Sequence, residues 1–336
     1  MNQIELMRFS AVCGSIISAI TGTDCQSCTY SVIKQRYYNL RRIAYILLAL
    51  CLALPIVAEK RALVIGIGNY PKESGWRVIS GNNDVKFVDA VLNANGYKSE
   101  NITTLIDSQA QCKDIEIALQ QLAMQSVKGD EVYIHFSGHG QRITDLNGDE
   151  KNGYDECWIP YDARRYYKKG EYEGQNHLVD DKINGYLYAI REKIGAKGNL
   201  IVVSDACHSG GSTQAENDTN ETPMSVNIND VVRGTDTPFM LPQNFNGEIS
   251  AIPLPKPADW IALAACMPFQ TNKECVQQRC GSLTYSLYLE RYKLKEKSTY
   301  NLMPVIKAHI QELSRNKLQE PVVEGPVSRL SEPLMR

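Results

Sequence analysis

The sequence predicts an α/β protein built on a mostly parallel central sheet. Short apolar runs alternate with amphipathic helical segments, in the order β-α-β-α-β-α-β. The runs are almost continuously apolar, as expected of strands covered on both faces. Two of them end in polar, glycine-flanked turns, one carrying a histidine and the other a cysteine.

The elements follow in order. Residues 60–68 (Lys-Arg-Ala-Leu-Val-Ile-Gly-Ile-Gly) read as a buried first strand. Its GxG is no dinucleotide fingerprint, because no third glycine opens a helix and Asn69-Tyr70-Pro71 turns the chain away. Asn82-Asn83-Asp84 reads as the N-cap of a helix over 85–93, which Gly96 ends. A strand is expected at 102–106, a helix at 115–124 and a third strand at 132–136. Residues 144–156 are polar and acidic, and 158–161 reads as a short extended piece. A helix over 179–194 leads to the fourth strand at 200–204. Residues 212–257, rich in Asn, Thr, Pro and Gly, read as a loop insertion, and a loop of that length is functional or disordered. The sheet resumes at 260–265, helices follow at 283–292 and 303–313, and 319–325 closes with a short strand.

Composition and charge narrow the function. The 336 residues are 43% hydrophobic and 22% charged, with a net charge of −2, which excludes the basic surface of a nucleic-acid binder. Residues 1–58 form an N-terminal extension ahead of a domain over 59–336. Residues 43–57 are a continuous apolar run broken only by Pro55, preceded by Arg41-Arg42 and followed by Ala58. The run is short for a membrane span. It has the parts of a secretory signal peptide, with its basic region near 34–42, and an exported protein is expected. The alternative is an uncleaved anchor over 43–57, which would be the protein's contact with a membrane. A mature chain starting at Glu59 loses five basic and two acidic residues and carries −5. Of its six cysteines, Cys275 and Cys280 read equally as a disulfide or as two free thiols. A monomer is expected.

Sites in open parallel α/β sheets form at the carboxyl ends of strands. Val132-Tyr-Ile-His135-Phe-Ser137-Gly-His139-Gly140 and Val202-Val-Ser-Asp205-Ala-Cys207-His-Ser-Gly-Gly211 put a histidine and a cysteine at two such ends. A cysteine is a strong nucleophile as its thiolate, which a nearby histidine makes accessible. The backbone N–H groups of Cys207 and Gly140 are candidates for an oxyanion hole, worth ~3 kcal/mol per donor. His135, inside a strand, reads as structural. Zinc would need ligands more tightly clustered than these.

These two motifs resemble the signatures of the metacaspase-type, caspase-like cysteine peptidases of family C14. The similarity spans roughly 60–325 apart from 212–257. It includes the Asn-Asn-Asp helix start and the late Gln-Glu-Pro-Val-Val-Glu-Gly segment. The resemblance implies a caspase-like α/β/α sandwich, with Cys207 as nucleophile and His139 as base. It implies an S1 pocket lined by Asp84, Ser137 and Asp205 and filled by arginine or lysine of a protein or peptide substrate. Gly81 stands where members often have cysteine. The alternative role for Asp84 is a plain N-cap. No cofactor is required by this chemistry.

An EF-hand reading of 145–156 fails because Glu150 stands where glycine is needed and no helices flank it. The resemblance implies instead a Ca²⁺ site from Asp155, Asp180 and Asp181; the alternative is solvated acids capping a helix. The insertion region is often cut during maturation in this family, and Arg233-Gly234 is the expected self-cleavage site in a flexible context. The primary reading is an exported endopeptidase. The alternative is a caspase-like scaffold that binds peptide or Ca²⁺ with little turnover.

Overall fold

The computed structural model describes residues 58–148, 150, 152–207, 231–235, 237–242, 245, 259–267 and 270–336, with residues 35, 38, 39 and 42. Residues 1–57 and 58–336 are separate units. The expected signal peptide, or anchor, lies outside the described residues. Among those described, no helix is long and apolar enough to cross a membrane.

The central sheet has six strands: β1 (Lys60–Gly66), β2 (Ile102–Ile106), β3 (Glu131–Ser137), β7 (Asn199–Asp205), β8 (Ile261–Ala264) and β11 (Val322–Glu324). Their spatial order is β11-β8-β7-β3-β1-β2, parallel throughout except for β11 at one edge. The expected mostly parallel sheet is what is seen. Alternation along each strand sorts the side chains onto two faces. Leu63, Ile65, Ile134, Leu200 and Val202 enter one core, shared with α2 (Cys112–Gln125) and α3 (Asp180–Ile194). Ala62, Val64, Tyr133, Ile201 and Val203 enter the other, shared with α1 (Gly81–Ala94), α4 (Ser282–Leu289) and α5 (Thr299–Leu313). A short α6 (Val327–Leu330) follows β11. Helices on both faces give the α/β/α sandwich.

Three details depart from the sequence reading. Helix α1 begins at Gly81 with Ser80 as its N-cap residue, so Asp84 sits within the first turn and does not cap the helix. A second, three-stranded sheet forms from β4 (Gly140–Thr144), β5 (Tyr154–Trp158) and β6 (Leu178–Val179), which replaces the extended piece expected at 158–161. Its strands β4 and β5 pair antiparallel on either side of the polar stretch at 145–153.

The third departure concerns 212–257. Its described residues are packed rather than loose: Phe239 and Leu241 are buried, and the Phe239 N–H donates to the Arg142 carbonyl at 2.7 Å. Apolar side chains at these positions dock the insertion on the small sheet. A hairpin of β9 (Glu274–Cys275) and β10 (Cys280–Gly281) completes the fold. Cys275 and Cys280 face each other across it as buried free thiols.

Candidate active site

Parallel pairing of β3 with β7 aligns Ser137 with Asp205, and each chain then runs two residues further to His139 and Cys207. The two motifs therefore leave the sheet side by side at its carboxyl edge. The glycine after the histidine is required by close approach: a Cβ at Gly140 would overlap the Cys207 carbonyl oxygen. At Gly138 a Cβ would lie 2.8 Å from the Phe136 ring and 2.9 Å from the Tyr70 hydroxyl.

His139 is buried and held on several sides. Its ring stacks on Trp76, with centroids 4.7 Å apart, and its backbone N–H donates to the Tyr70 hydroxyl at 3.0 Å. That hydroxyl donates in turn to the Ile159 carbonyl. His139 Nε2 lies 2.8 Å from the Arg77 carbonyl oxygen. A carbonyl only accepts, so Nε2 carries the proton and Nδ1 keeps its lone pair. Nδ1 is buried and has no hydrogen-bond partner. Burial, joined by the charges of Arg233 and Arg165 and opposed by the Arg77 carbonyl, pushes the imidazole down to about 3. The ring is neutral, the form that accepts a proton.

Cys207 is 2% exposed, and its sulfur accepts the Asn272 N–H at 3.1 Å. Its own amide donates to the Arg233 carbonyl oxygen at 2.7 Å. Among the described residues this amide is the donor seen on that oxygen. Gly140, expected to supply a second, lies beside Cys207 where a Cβ would not fit.

Arg233 overturns the expected flexible setting of its segment. It is completely buried. Its N–H donates to the Asn272 carbonyl, the Glu274 N–H donates to the Val231 carbonyl, and Val232 bridges Lys273 in antiparallel fashion. Residues 231–233 thus add a strand to 272–274. The guanidinium enters a pocket floored by Asp84 and Asp205. Nη1 donates to Asp84 Oδ2 at 2.7 Å and to the Asp205 carbonyl at 3.1 Å, and lies 3.6 Å from Asp205 Oδ1. A buried charge is tolerable only when paired, and these carboxylates from distant parts of the chain pair it.

The two aspartates respond differently. Burial raises Asp84, Arg233 offsets part of this, and Asp205 adds repulsion, leaving Asp84 at about 6. Asp205 is equally desolvated, but Arg233, the Asn272 amide and two bonds from Thr284 outweigh burial and hold it below the usual range. Ser137 is buried beside them. Its hydroxyl contacts His135 Nε2 at 3.1 Å and Thr284 Oγ1 at 3.4 Å, which makes it a supporting residue of the pocket. His135 is structural as expected, bonded also to Tyr133 and Thr284.

Four supporting residues were not legible beforehand. Glu274 faces the guanidinium from the side, Thr284 and Asn272 hold Asp205, and Gln319 donates to Asn272 Oδ1 and to the Ala265 carbonyl. Gln319 opens the late segment already noted as a motif and Thr284 falls in the expected helix over 283–292; Asn272 and Glu274 lie in a stretch without periodicity.

Asp155, Asp180 and Asp181 lie outside this pocket, at β5 and the start of α3. Burial and the nearby charges of Asp155, Asp181 and Glu150 push Asp180 well above the usual carboxylate range. Buried oxygens of Asp180 and Glu156 have no hydrogen-bond partner. An oxygen-only, like-charged group of this kind suits Ca²⁺. As they stand, no three metal-ligating side chains among the described residues converge on one point. Asp145 is committed elsewhere, accepting the N–H groups of Asn147, Gly148 and Glu150.

Residues 60–216 match the family described as metacaspase, peptidase C14 domain. Metacaspase-1A of Aspergillus clavatus is 33% identical over 161 residues, which is 46% of this chain and 34% of the relative. Metacaspase-7 of Arabidopsis thaliana is 33% identical over 158 residues, 45% and 35% of the two chains. The matched part spans about a third of these relatives' length. Among solved structures, a Geobacter sulfurreducens protein superposes with TM-score 0.54 at 19% identity, over 82% of this chain and 98% of that one. Caspase-1 of Spodoptera frugiperda gives TM-score 0.48 at 13% identity, over 80% and 86%.

Proposed function

This chain carries a metacaspase-type peptidase C14 domain over residues 60–216, and from that premise we propose that it is a cysteine endopeptidase that cuts after arginine or lysine. The observation that carries this is the seat of Arg233, with its guanidinium against Asp84 and its carbonyl oxygen on the Cys207 amide. The side chain is held by the first turn of α1 and the end of β7, and the adjoining carbonyl by the amide of the candidate nucleophile itself.

In the proposed reaction His139 Nδ1 takes the Cys207 thiol proton as sulfur attacks the carbonyl carbon. The oxyanion is met by the Cys207 N–H, a donor of the kind worth ~3 kcal/mol in the transition state. Collapse breaks the C–N bond, and His139 returns the proton to the departing amine. Water then hydrolyses the thioester. The first substrate of this kind is the chain's own Arg233–Gly234 bond, so the enzyme starts as a self-blocked zymogen. Asp155, Asp180 and Asp181 bind Ca²⁺ in this reading, and residues 43–57 export the protein.

Aminomethylcoumarin peptides with Arg, Lys or Asp at P1, with and without Ca²⁺, test the reading, with Cys207→Ala as control. Release from Arg and Lys peptides alone, lost in Cys207→Ala, is expected. A wild-type protein that binds such peptides without turning them over would establish the scaffold reading instead.

A further inference from the structure

The pocket around the Arg233 guanidinium holds a third carboxylate that attraction of a cation does not require. Glu274 is 3% exposed. Its Oε1 lies 3.0 Å from Arg233 Nε and 2.9 Å from Nη2, along the edge of the guanidinium away from Asp84. Asp84 and Asp205 meet the Nη1 end. The three acids thus divide the planar head between them.

Glu274 is also held by a bond that does not involve the bound side chain. Oε1 accepts the Ser80 N–H at 2.7 Å, so the residue at the head of α1 aims it. Its own N–H meanwhile donates to the Val231 carbonyl, tying side-chain recognition to the backbone of the bound segment. Burial, with repulsion from Asp205 added, raises Asp84 to about 6 even with Arg233 beside it, so an ionised carboxylate is costly here. Adding a third to a pocket that sensed charge alone would raise that cost without return.

Arginine offers N–H donors at both the Nη1 end and the Nε edge, in one rigid plane. A lysine ammonium is a single point of charge on a flexible stem, with nothing in the place of Nε. It meets the Asp84 end or the Glu274 edge, but not both. We infer that Glu274 is a specificity-determining residue that makes the pocket select arginine over lysine. This rests on the reading of the pocket as S1.

The test compares Arg- and Lys-P1 aminomethylcoumarin peptides on wild type, Glu274→Gln and Glu274→Asp. Gln keeps the shape and the acceptor for Ser80 but removes the charge; Asp keeps the charge and withdraws it. Wild type is expected to favour Arg by roughly tenfold or more in kcat/KM, as one charge-assisted hydrogen bond warrants. Glu274→Gln should bring the ratio close to one, mainly by lowering the Arg value, and Glu274→Asp should fall between. Thermal melting identifies a variant that fails to fold, in which case the other carries the comparison. Equal cleavage of both peptides by wild type, or equal loss for both in the variants, overturns the inference.

A second arm does not need turnover. Fluorescent peptides ending in Arg or Lys amide are titrated onto Cys207→Ala, Arg233→Gln protein, with and without Glu274→Gln. Preference for Arg that depends on Glu274 supports the inference even if no peptide is cut, the result that would sink the peptidase reading alone. Binding without preference overturns it.

Discussion

The amide of Cys207 donates to the carbonyl oxygen of Arg233 at 2.7 Å. The residue that follows, Gly234, packs against the side chain of Cys207. A Cβ added at Gly234 would lie 2.6 Å from Cys207 Cβ and 3.3 Å from its sulfur. Gly234 also has φ +132°, a conformation that side chains resist. Glycine there lets the Arg233–Gly234 segment lie against Cys207.

Self-cleavage should therefore occur at this bond and no other near it. Purified wild-type protein is expected to yield a fragment whose N-terminus is Gly234. Cys207→Ala should stay intact, and Arg233→Gln should stay uncut at this position. N-terminal sequencing and intact mass decide the matter; a wild-type cut elsewhere in 212–257 with Arg233 untouched would refute the arrangement.

The pocket should show an acid limb set by Asp84. In this seat burial holds Asp84 at about 6, and the groups facing it include Arg233, Asp205, Thr284 and the Gly281 N–H. Arginine binding favours the ionised form. Activity on Arg peptides should fall as pH drops through the Asp84 transition. With Arg233 withdrawn, its lowering influence goes, so the limb should lie above the ordinary carboxylate range. Asp84→Asn should flatten that limb in kcat/KM while lowering the plateau. Stability moves the other way. The folded protein holds this proton more tightly than the unfolded chain, so the Asp84 contribution weakens as pH rises from about 4 to about 6. A limb that persists in Asp84→Asn belongs to another group.

His139 depends on its surroundings for orientation, and Tyr70 is the residue to probe. Its hydroxyl ties the His139 amide to the Ile159 carbonyl. Tyr70→Phe leaves the ring contact but removes both bonds, which should cost about 1–2 kcal/mol of stability. If orientation is its role, kcat should fall roughly tenfold while KM for Arg peptides changes little. A change in KM alone would assign Tyr70 to substrate binding.

The inner strands β1, β3, β7 and β8 were legible because they are largely buried and so read as apolar runs, while the helices carry 3.6-residue periodicity. His139 and Cys207 were legible because each follows such a run and is flanked by glycine. β4 was not: Gly140-Gln-Arg-Ile-Thr144 has one large apolar residue, Ile143. The burial of Arg233 could not be read locally either. It depends on acids at 84, 205 and 274, which only the fold brings together. Glu274 is itself aimed by an amide 194 residues away in sequence. Such a residue leaves no mark in periodicity or spacing.

The acidic group near α3 should be a burden without Ca²⁺ and a site with it. Burial first, then neighbouring charge, raises Asp180 and Glu156 well above the ordinary carboxylate range. The folded state holds these protons more tightly than the unfolded chain, so stability falls as pH rises past the unfolded values toward neutrality. A divalent cation held by Asp155, Asp180 and Asp181 would reverse the penalty. Ca²⁺ should raise the Tm of Cys207→Ala protein by about 2 °C or more at neutral pH. Asp180→Asn should melt higher than its parent without Ca²⁺ and lose most of the Ca²⁺ response. Calorimetry of the two proteins, each with Ca²⁺ and with chelator, checks both halves. An Asp180→Asn protein that melts lower than its parent without Ca²⁺ would mean that the carboxylate contributes a bond worth more than its repulsion.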